Sequence, residues 1–313
     1  MIQADHLTKR FGETVAVDEV SFAVRPGRVT GFLGPNGAGK STTMRMILGL
    51  DEPTAGTVII DGRPYGELVD PLRSVGALLD ADAIDGGRGA ANHLRWLAVS
   101  NDIDRRRVPT VLDLVGLSDV SDRRISTFSL GMRQRLGIAG ALLGDAQTLI
   151  FDEPINGLDP DGIFWMRNLM KALASEGRTV FLSSHLMSEM AQTADHLIVI
   201  GRGHIIADAA TDEIVRRYAT PSVRVRTVEP IELAPLLIRA GASVDRTSDG
   251  ALDVTGVDSS AIGTVAAANG IALAELTPQG SSLEDAFFEL TRTETDYRAL
   301  AGVSAAAAAG QGA

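Results

Sequence analysis

Apolar and polar residues alternate over positions 1–28, with Val15 and Val17 and then Val20, Phe22 and Val24 each two apart, and Gly12 and Pro26-Gly27 as interruptions. A period of two broken by turn residues predicts antiparallel strands. From Val29 the pattern changes: a short apolar run to Leu33, a glycine-rich stretch, then Met44, Ile47 and Leu48 at helical spacing within 41–50. The order is strand, glycine loop, helix. Residues 90–117 have helical spacing in two pieces, with Pro109 expected to separate them, and another helix is expected over about 131–144. Short, uniformly apolar strands are expected at Thr148–Phe151, Thr179–Leu182 and Leu197–Ile200, with a helix over 160–175 between the first two. Uniformly apolar strands separated by helices indicate a parallel sheet covered on both faces.

Pro221 marks a boundary. Beyond it the pattern reads strand (223–228), helix (231–239), strand (242–246), strand (251–255), helix (259–268), strand (271–276) and helix (282–291). A β-α-β-β-α-β order predicts a small ferredoxin-like α+β domain. The expected organisation is therefore a first domain over 1–220, an accessory domain over 221–295 and an Ala/Gly-rich tail over 296–313, for which disorder is the default.

Composition narrows the classes. The 313 residues include no cysteine, which excludes a disulfide framework, a cysteine-based metal site and a cysteine nucleophile. No apolar stretch approaches the roughly 18–20 residues of a membrane span, and no secretory signal is visible at the N-terminus. The net charge is −11, which argues against a broad nucleic-acid footprint. Lysine occurs only at 9, 40 and 171 among the 29 basic residues, so each one draws notice.

Lys40 lies in a run that fits G-x-x-x-x-G-K-[ST]: Gly34, Pro35, Asn36, Gly37, Ala38, Gly39, Lys40, Ser41 and Thr42. Glycines let backbone N–H groups turn inward around phosphate oxygens, and the following helix adds its positive end. Lys40 can reach the β- and γ-phosphates, and Ser41 can ligate Mg2+. Asp152 and Glu153 end an apolar strand, at the sheet edge where parallel α/β folds bind ligands. Asp152 suits Mg2+ through water, and Glu153 suits orienting or deprotonating an attacking water. Ser129 and Gly131 open a helix and form a second candidate anion site, although Ser is also a common helix cap. His185 follows the Thr179–Leu182 strand and can donate to a phosphate oxygen.

These blocks, in this order, resemble the nucleotide-binding subunit of an ATP-binding-cassette (ABC) transporter over about residues 1–217. The extension ending in Ser282-Leu283-Glu284-Asp285-Ala286-Phe287-Phe288 is similar to that of daunorubicin-resistance-type (ABC-2 type) drug-export ATPases. The resemblance implies a P-loop NTPase core with an antiparallel β subdomain and a helical subdomain. It places Phe11 where an aromatic stacks on adenine, Ser129, Leu130, Gly131 and Met132 in the signature that acts in trans, and Asp159 in the D-loop. Gly34–Thr42 form Walker A, Asp152 and Glu153 Walker B, and His185 the H-loop. It implies a homodimer holding two ATP, Mg2+ as cofactor, a separately encoded membrane subunit, a peripheral location on the cytoplasmic face of the membrane, and no nucleic-acid partner.

The chain departs from the pattern in two places. Asp80 occupies a place usually held by Gln, where it can still offer oxygen to Mg2+ but is shorter and charged, so it stands as a metal and catalytic candidate or as a strand-end carboxylate. Leu130 and Met132 replace small or polar signature residues. The function implied is ATP-driven export of a small, hydrophobic, drug- or antibiotic-like compound. The alternative is a soluble ABC-type ATPase acting on ribosomes or DNA. A GTPase is excluded because no lysine follows an asparagine.

Overall fold

The computed structural model describes residues 1–218, 221–279, 283, 286 and 287. The chain divides into two compact units, the first including Met1–Thr211 and the second beginning at Asp212. In the first unit the elements run β1 (Ile2–Phe11), β2 (Thr14–Val24), β3 (Arg28–Leu33), α1 (Lys40–Ile47), β4 (Ala55–Ile60), α2 (Pro71–Ser74) and β5 (Val75–Leu78). They continue with α3 (Ala90–Ser100), α4 (Arg107–Leu114), α5 (Leu130–Leu142), β6 (Thr148–Phe151), α6 (Pro160–Ser175), β7 (Thr179–Ser184), α7 (Met187–Thr193), β8 (His196–Gly201) and β9 (His204–Ala210). Helix α8 (Thr211–Tyr218) starts at the division.

Two sheets build this unit. The expected N-terminal hairpin is present, and β4 joins it to give the antiparallel order β2-β1-β4. The second sheet has the order β5-β6-β7-β3-β8-β9, parallel except for β9 at one edge. Every residue of β6 and β7 is buried, as a strand covered on both faces requires. Phe22 of β2 packs on Phe32 of β3 and Phe181 of β7, with ring centroids 5.4–5.9 Å apart. This aromatic trio joins the antiparallel sheet to the centre of the parallel one.

Pro109 does not separate the helices over 90–117. It is the third residue of α4, in the first turn, where a missing N–H costs no helical hydrogen bond. The break lies earlier: Asp102 takes φ 53°, and Asp104 accepts from the Arg106 N–H at 2.9 Å.

Helix α5 crosses β5 so closely that a Cβ on Gly76 would lie 2.0 Å from the Ala141 carbonyl oxygen. The obstacle is backbone and cannot rotate away. Gly76→Ala is expected to destabilise the first unit by about 1–3 kcal/mol, the usual cost of overpacking. Thermal unfolding checks this; an unchanged midpoint would show that α5 shifts freely.

The second unit contains β10 (Ser222–Thr227), α9 (Pro230–Arg239), β11 (Ser243–Arg246), β12 (Leu252–Thr255), α10 (Ser259–Ala268) and β13 (Leu273–Gln279). Its sheet is antiparallel in the order β11-β12-β10-β13, the pairing of a ferredoxin-like β-α-β-β-α-β unit. Val223, Val225, Leu233, Leu237, Leu252, Val254 and Ile262 form its core. The helix expected over 282–291 and the tail over 296–313 lie outside the described residues, apart from the buried Leu283, Ala286 and Phe287. No helix among the described residues is long and apolar enough to cross a membrane.

Candidate functional site

Three adjacent parallel strands deliver the site. Leu33 of β3 pairs with Ser184 of β7, and Phe151 of β6 pairs with Leu182 of β7. The glycine loop, the two carboxylates and His185 therefore leave one edge of the sheet side by side. Leu78 of β5 pairs with Phe151, so Asp80 follows from the same edge.

The loop after β3 holds its shape through backbone that only glycine tolerates at one key point. Gly39 has φ 106°, and a Cβ there would meet the Ala16 carbonyl oxygen at 2.6 Å. Thr43 Oγ1 donates to the Gly39 carbonyl at 2.9 Å and ties the loop to α1. Lys40 begins α1 and is 6% exposed. Its Nζ donates to the carbonyls of Gly34 (2.7 Å) and Pro35 (3.2 Å) and lies 3.5 Å from Glu153 Oε1. Burial pulls the Lys40 ammonium below its usual pKa, while Glu153 and Asp152 hold the charge against that pull. Ser41 is exposed in the first turn of α1.

The carboxylates are anchored from several directions. Asp152 N–H donates to the Leu78 carbonyl at 2.8 Å. Glu153 has φ 49°, in the left-handed region. Its Oε2 meets His185 Nδ1 at 2.8 Å, so one carboxylate spans His185 and Lys40. The Ser183 hydroxyl contacts both Asp152 and Glu153, and Gln134 Nε2 donates to the Glu153 carbonyl at 3.3 Å. The sequence reading carries Ser183 only inside the run that ends in His185, and Gln134 only inside the run that follows Gly131, and gives neither a role of its own. Their mark in the structure is burial: Ser183 is inaccessible directly after the apolar run of Val180, Phe181 and Leu182, and Gln134 is 5% exposed within a helix.

The remaining candidates make local contacts of their own. Ser129 caps α5 by accepting from Met132 N–H at 3.2 Å. Asp159 caps α6 by accepting from Gly162 N–H at 2.9 Å. Gly131 sits so close to Gly157 that a Cβ would lie 2.9 Å from its carbonyl oxygen. A cleft of about 430 Å3 is lined by Ser129, Gly131, Met132, Leu158 and Asp159, and its lining contains none of residues 34–42. Leu130 is 44% exposed. Phe11 ends β1 half-exposed, with Lys9 Nζ 5.0 Å from its ring centroid. Asp80 is exposed and accepts from the Asp82 N–H at 2.8 Å, while Asp82 pairs with Arg133 at 2.7 Å.

Among the described residues no group of three or more His, Asp and Glu side chains converges to hold a metal ion. The donors at the edge, one hydroxyl and one or two carboxylates, instead suit a cation that keeps its waters and shares phosphate oxygens, which is the habit of Mg2+.

Residues 17–156 match the family described as ABC transporter, and residues 221–284 match a domain of unknown function, DUF8746. The chain is 40% identical over 220 residues to the bacitracin transport ATP-binding protein BcrA of Enterococcus faecalis, covering 69% of this chain and 71% of that one. The chain belongs to the ABC transporter ATP-binding family. As an ABC ATPase it binds and hydrolyses ATP. Its likeness extends into the second unit: an uncharacterized ABC transporter ATP-binding protein of Bacillus subtilis (strain 168), YhcH, is 34% identical over 295 residues, 93% of this chain and 96% of that one. A solved ATP-binding subunit of an ABC transporter superposes with a TM-score of 0.64 at 27% identity, over 70% of this ABC ATPase and 93% of that chain.

Proposed function

We propose that this ATPase drives export of a small, hydrophobic, drug- or antibiotic-like compound through a separate membrane subunit, from the cytoplasmic face of the membrane. The observation that carries the chemistry is the Lys40–Glu153–His185 chain at the ends of three adjacent strands. The export reading draws on relatives named for bacitracin transport, lantibiotic transport and Nod factor export. These names favour transport over action on ribosomes or DNA.

The residue roles follow from charge and position. Residues 34–42 cradle the phosphates, with Lys40 exchanging its carbonyl partners for phosphate oxygens. Glu153 orients the attacking water and takes its proton. His185 holds the Glu153 carboxylate and donates toward the γ-phosphate. Ser41 and Asp152 would hold Mg2+, which supplies neutralisation of phosphate charge when bound, and Asp80 is a further oxygen at the same edge. Phe11 offers its ring to adenine. Ser129, Leu130, Gly131 and Met132, with Asp159, line a surface for a second copy, so that two chains close on two ATP. Residues 1–220 form the nucleotide-binding domain and 221–295 an accessory domain.

A tagged full-length chain isolated from native membranes tests the transport reading. An integral membrane protein is expected to co-purify with it. Sedimentation with ribosomes and no membrane partner would favour the alternative.

A further inference from the structure

We propose that Ser183 is a positioning residue for the ATPase reaction, its single hydroxyl aligning both Asp152 and Glu153. The inference rests on the reading that Glu153 acts on water and Asp152 on the metal.

Ser183 lies on β7, between β6 and β3, and is fully buried. Its Oγ accepts the Glu153 N–H at 2.9 Å and donates to Asp152 Oδ1. The hydroxyl proton is thus committed to the carboxylate, which in turn directs a lone pair at Glu153. Rotation about the Cα–Cβ bond would break both contacts together. Val180, Phe181 and Leu182 before it are apolar, and what marks Ser183 is that its hydroxyl meets both Walker B residues.

Glu153 explains why such a tie is needed. Its φ of 49° places a residue with a long side chain in the left-handed region, at a cost of about 1–2 kcal/mol. Strained backbone persists where its surroundings over-determine it. Here the N–H is held by Ser183 from β7, and the carbonyl by Gln134 from α5 at 3.3 Å. The strained turn aims the Glu153 carboxylate at Lys40 and His185 instead of along the sheet edge. The same hydroxyl occupies Oδ1 of Asp152 and so fixes how that carboxylate presents its other oxygen. One side chain therefore sets the relative placement of the general base and the metal ligand.

The test uses the full-length chain with Ser183→Ala, Ser183→Thr and Glu153→Gln variants. Loss of an outer partner typically costs about 10–100-fold in activity or metal affinity, and Ser183→Ala is expected to lower kcat by that factor. Mn2+ binding in the presence of ATP, read by electron paramagnetic resonance, should weaken several-fold. ATP affinity measured without divalent cation should stay unchanged, because the Gly34–Lys40 loop is untouched. Ser183→Thr keeps the hydroxyl and should restore both kcat and Mn2+ affinity.

Wild-type kcat and Mn2+ affinity in Ser183→Ala would overturn the proposal. So would a parallel loss of metal-free ATP affinity and thermal stability, which marks a packing role, or a Ser183→Thr variant as impaired as Ser183→Ala. Glu153→Gln separates the two levels. If it slows turnover strongly while Ser183→Ala turns over at the wild-type rate, the positioning role alone fails. If it turns over normally, the reading of Glu153 fails instead.

Discussion

Glu153→Gln is expected to slow ATP hydrolysis by about 1,000-fold, within the range contributed by a positioned general base. That factor corresponds to roughly 4 kcal/mol of transition-state stabilisation. The substitution keeps the shape of the side chain and replaces a carboxylate oxygen by an amide nitrogen, which cannot accept a proton. The geometry explains why no neighbour takes over. His185 already contacts Glu153 Oε2 at 2.8 Å, and Asp152 is committed to Ser183 through Oδ1. Nucleotide binding should persist, because the loop and Lys40 remain. Single-turnover hydrolysis beside an equilibrium binding measurement checks both halves. Turnover at the normal rate would remove Glu153 from its assigned role.

Lys40→Ala acts on the other side of the same contact and should impair binding itself. Hydrogen bonds to charged groups contribute about 1.5–3 kcal/mol each, so losing the ammonium should weaken ATP binding by at least about 10-fold and by about 100-fold at the upper end. The ammonium is buried at 6% exposure, and water substitutes poorly for it there. Its loss also leaves the Glu153 carboxylate without the cation that lies 3.5 Å away, next to where phosphate would enter. Repulsion between two anions then adds to the missing attraction. Calorimetric titration with ATP reads the effect directly. An unchanged dissociation constant would count against the phosphate-binding role of the loop.

Much of this site was legible because its chemistry is written in contiguous runs. Residues 34–42 and the Asp152-Glu153 pair each carry their own strand context, so apolar pattern and motif agree on where they stand. The ferredoxin-like order of the second unit was legible for a similar reason: Val223 and Val225 in β10 and Leu252 and Val254 in β12 alternate with polar residues, and Leu233 and Leu237 mark a buried face of α9. What escaped was assembled across distance. Ser183 and Gln134 meet Glu153 from 30 and 19 residues away, and no local spacing announces that meeting. Strand β4 was missed because Ala55, Gly56 and Thr57 are exposed on an edge, leaving only Val58–Ile60 apolar. Strand β9 was missed because its residues are only partly buried and it closes the sheet antiparallel. Pro109 misled because a proline marks a break only inside a helix, and here it stands in the opening turn.

The strand order sets a gradient of stiffness across the catalytic edge. β3, β6 and β7 each have a hydrogen-bonded neighbour on both sides, whereas β5 has one neighbour and four residues. Backbone amides in the interior strands should exchange with deuterium only through the rarest openings, and those of β5 through commoner ones. The loop carrying Asp80 thus hangs from the most yielding strand of the site, beside carboxylates mounted on the least yielding. Among the strands that deliver the site, β5 at the rim is therefore the one expected to yield first.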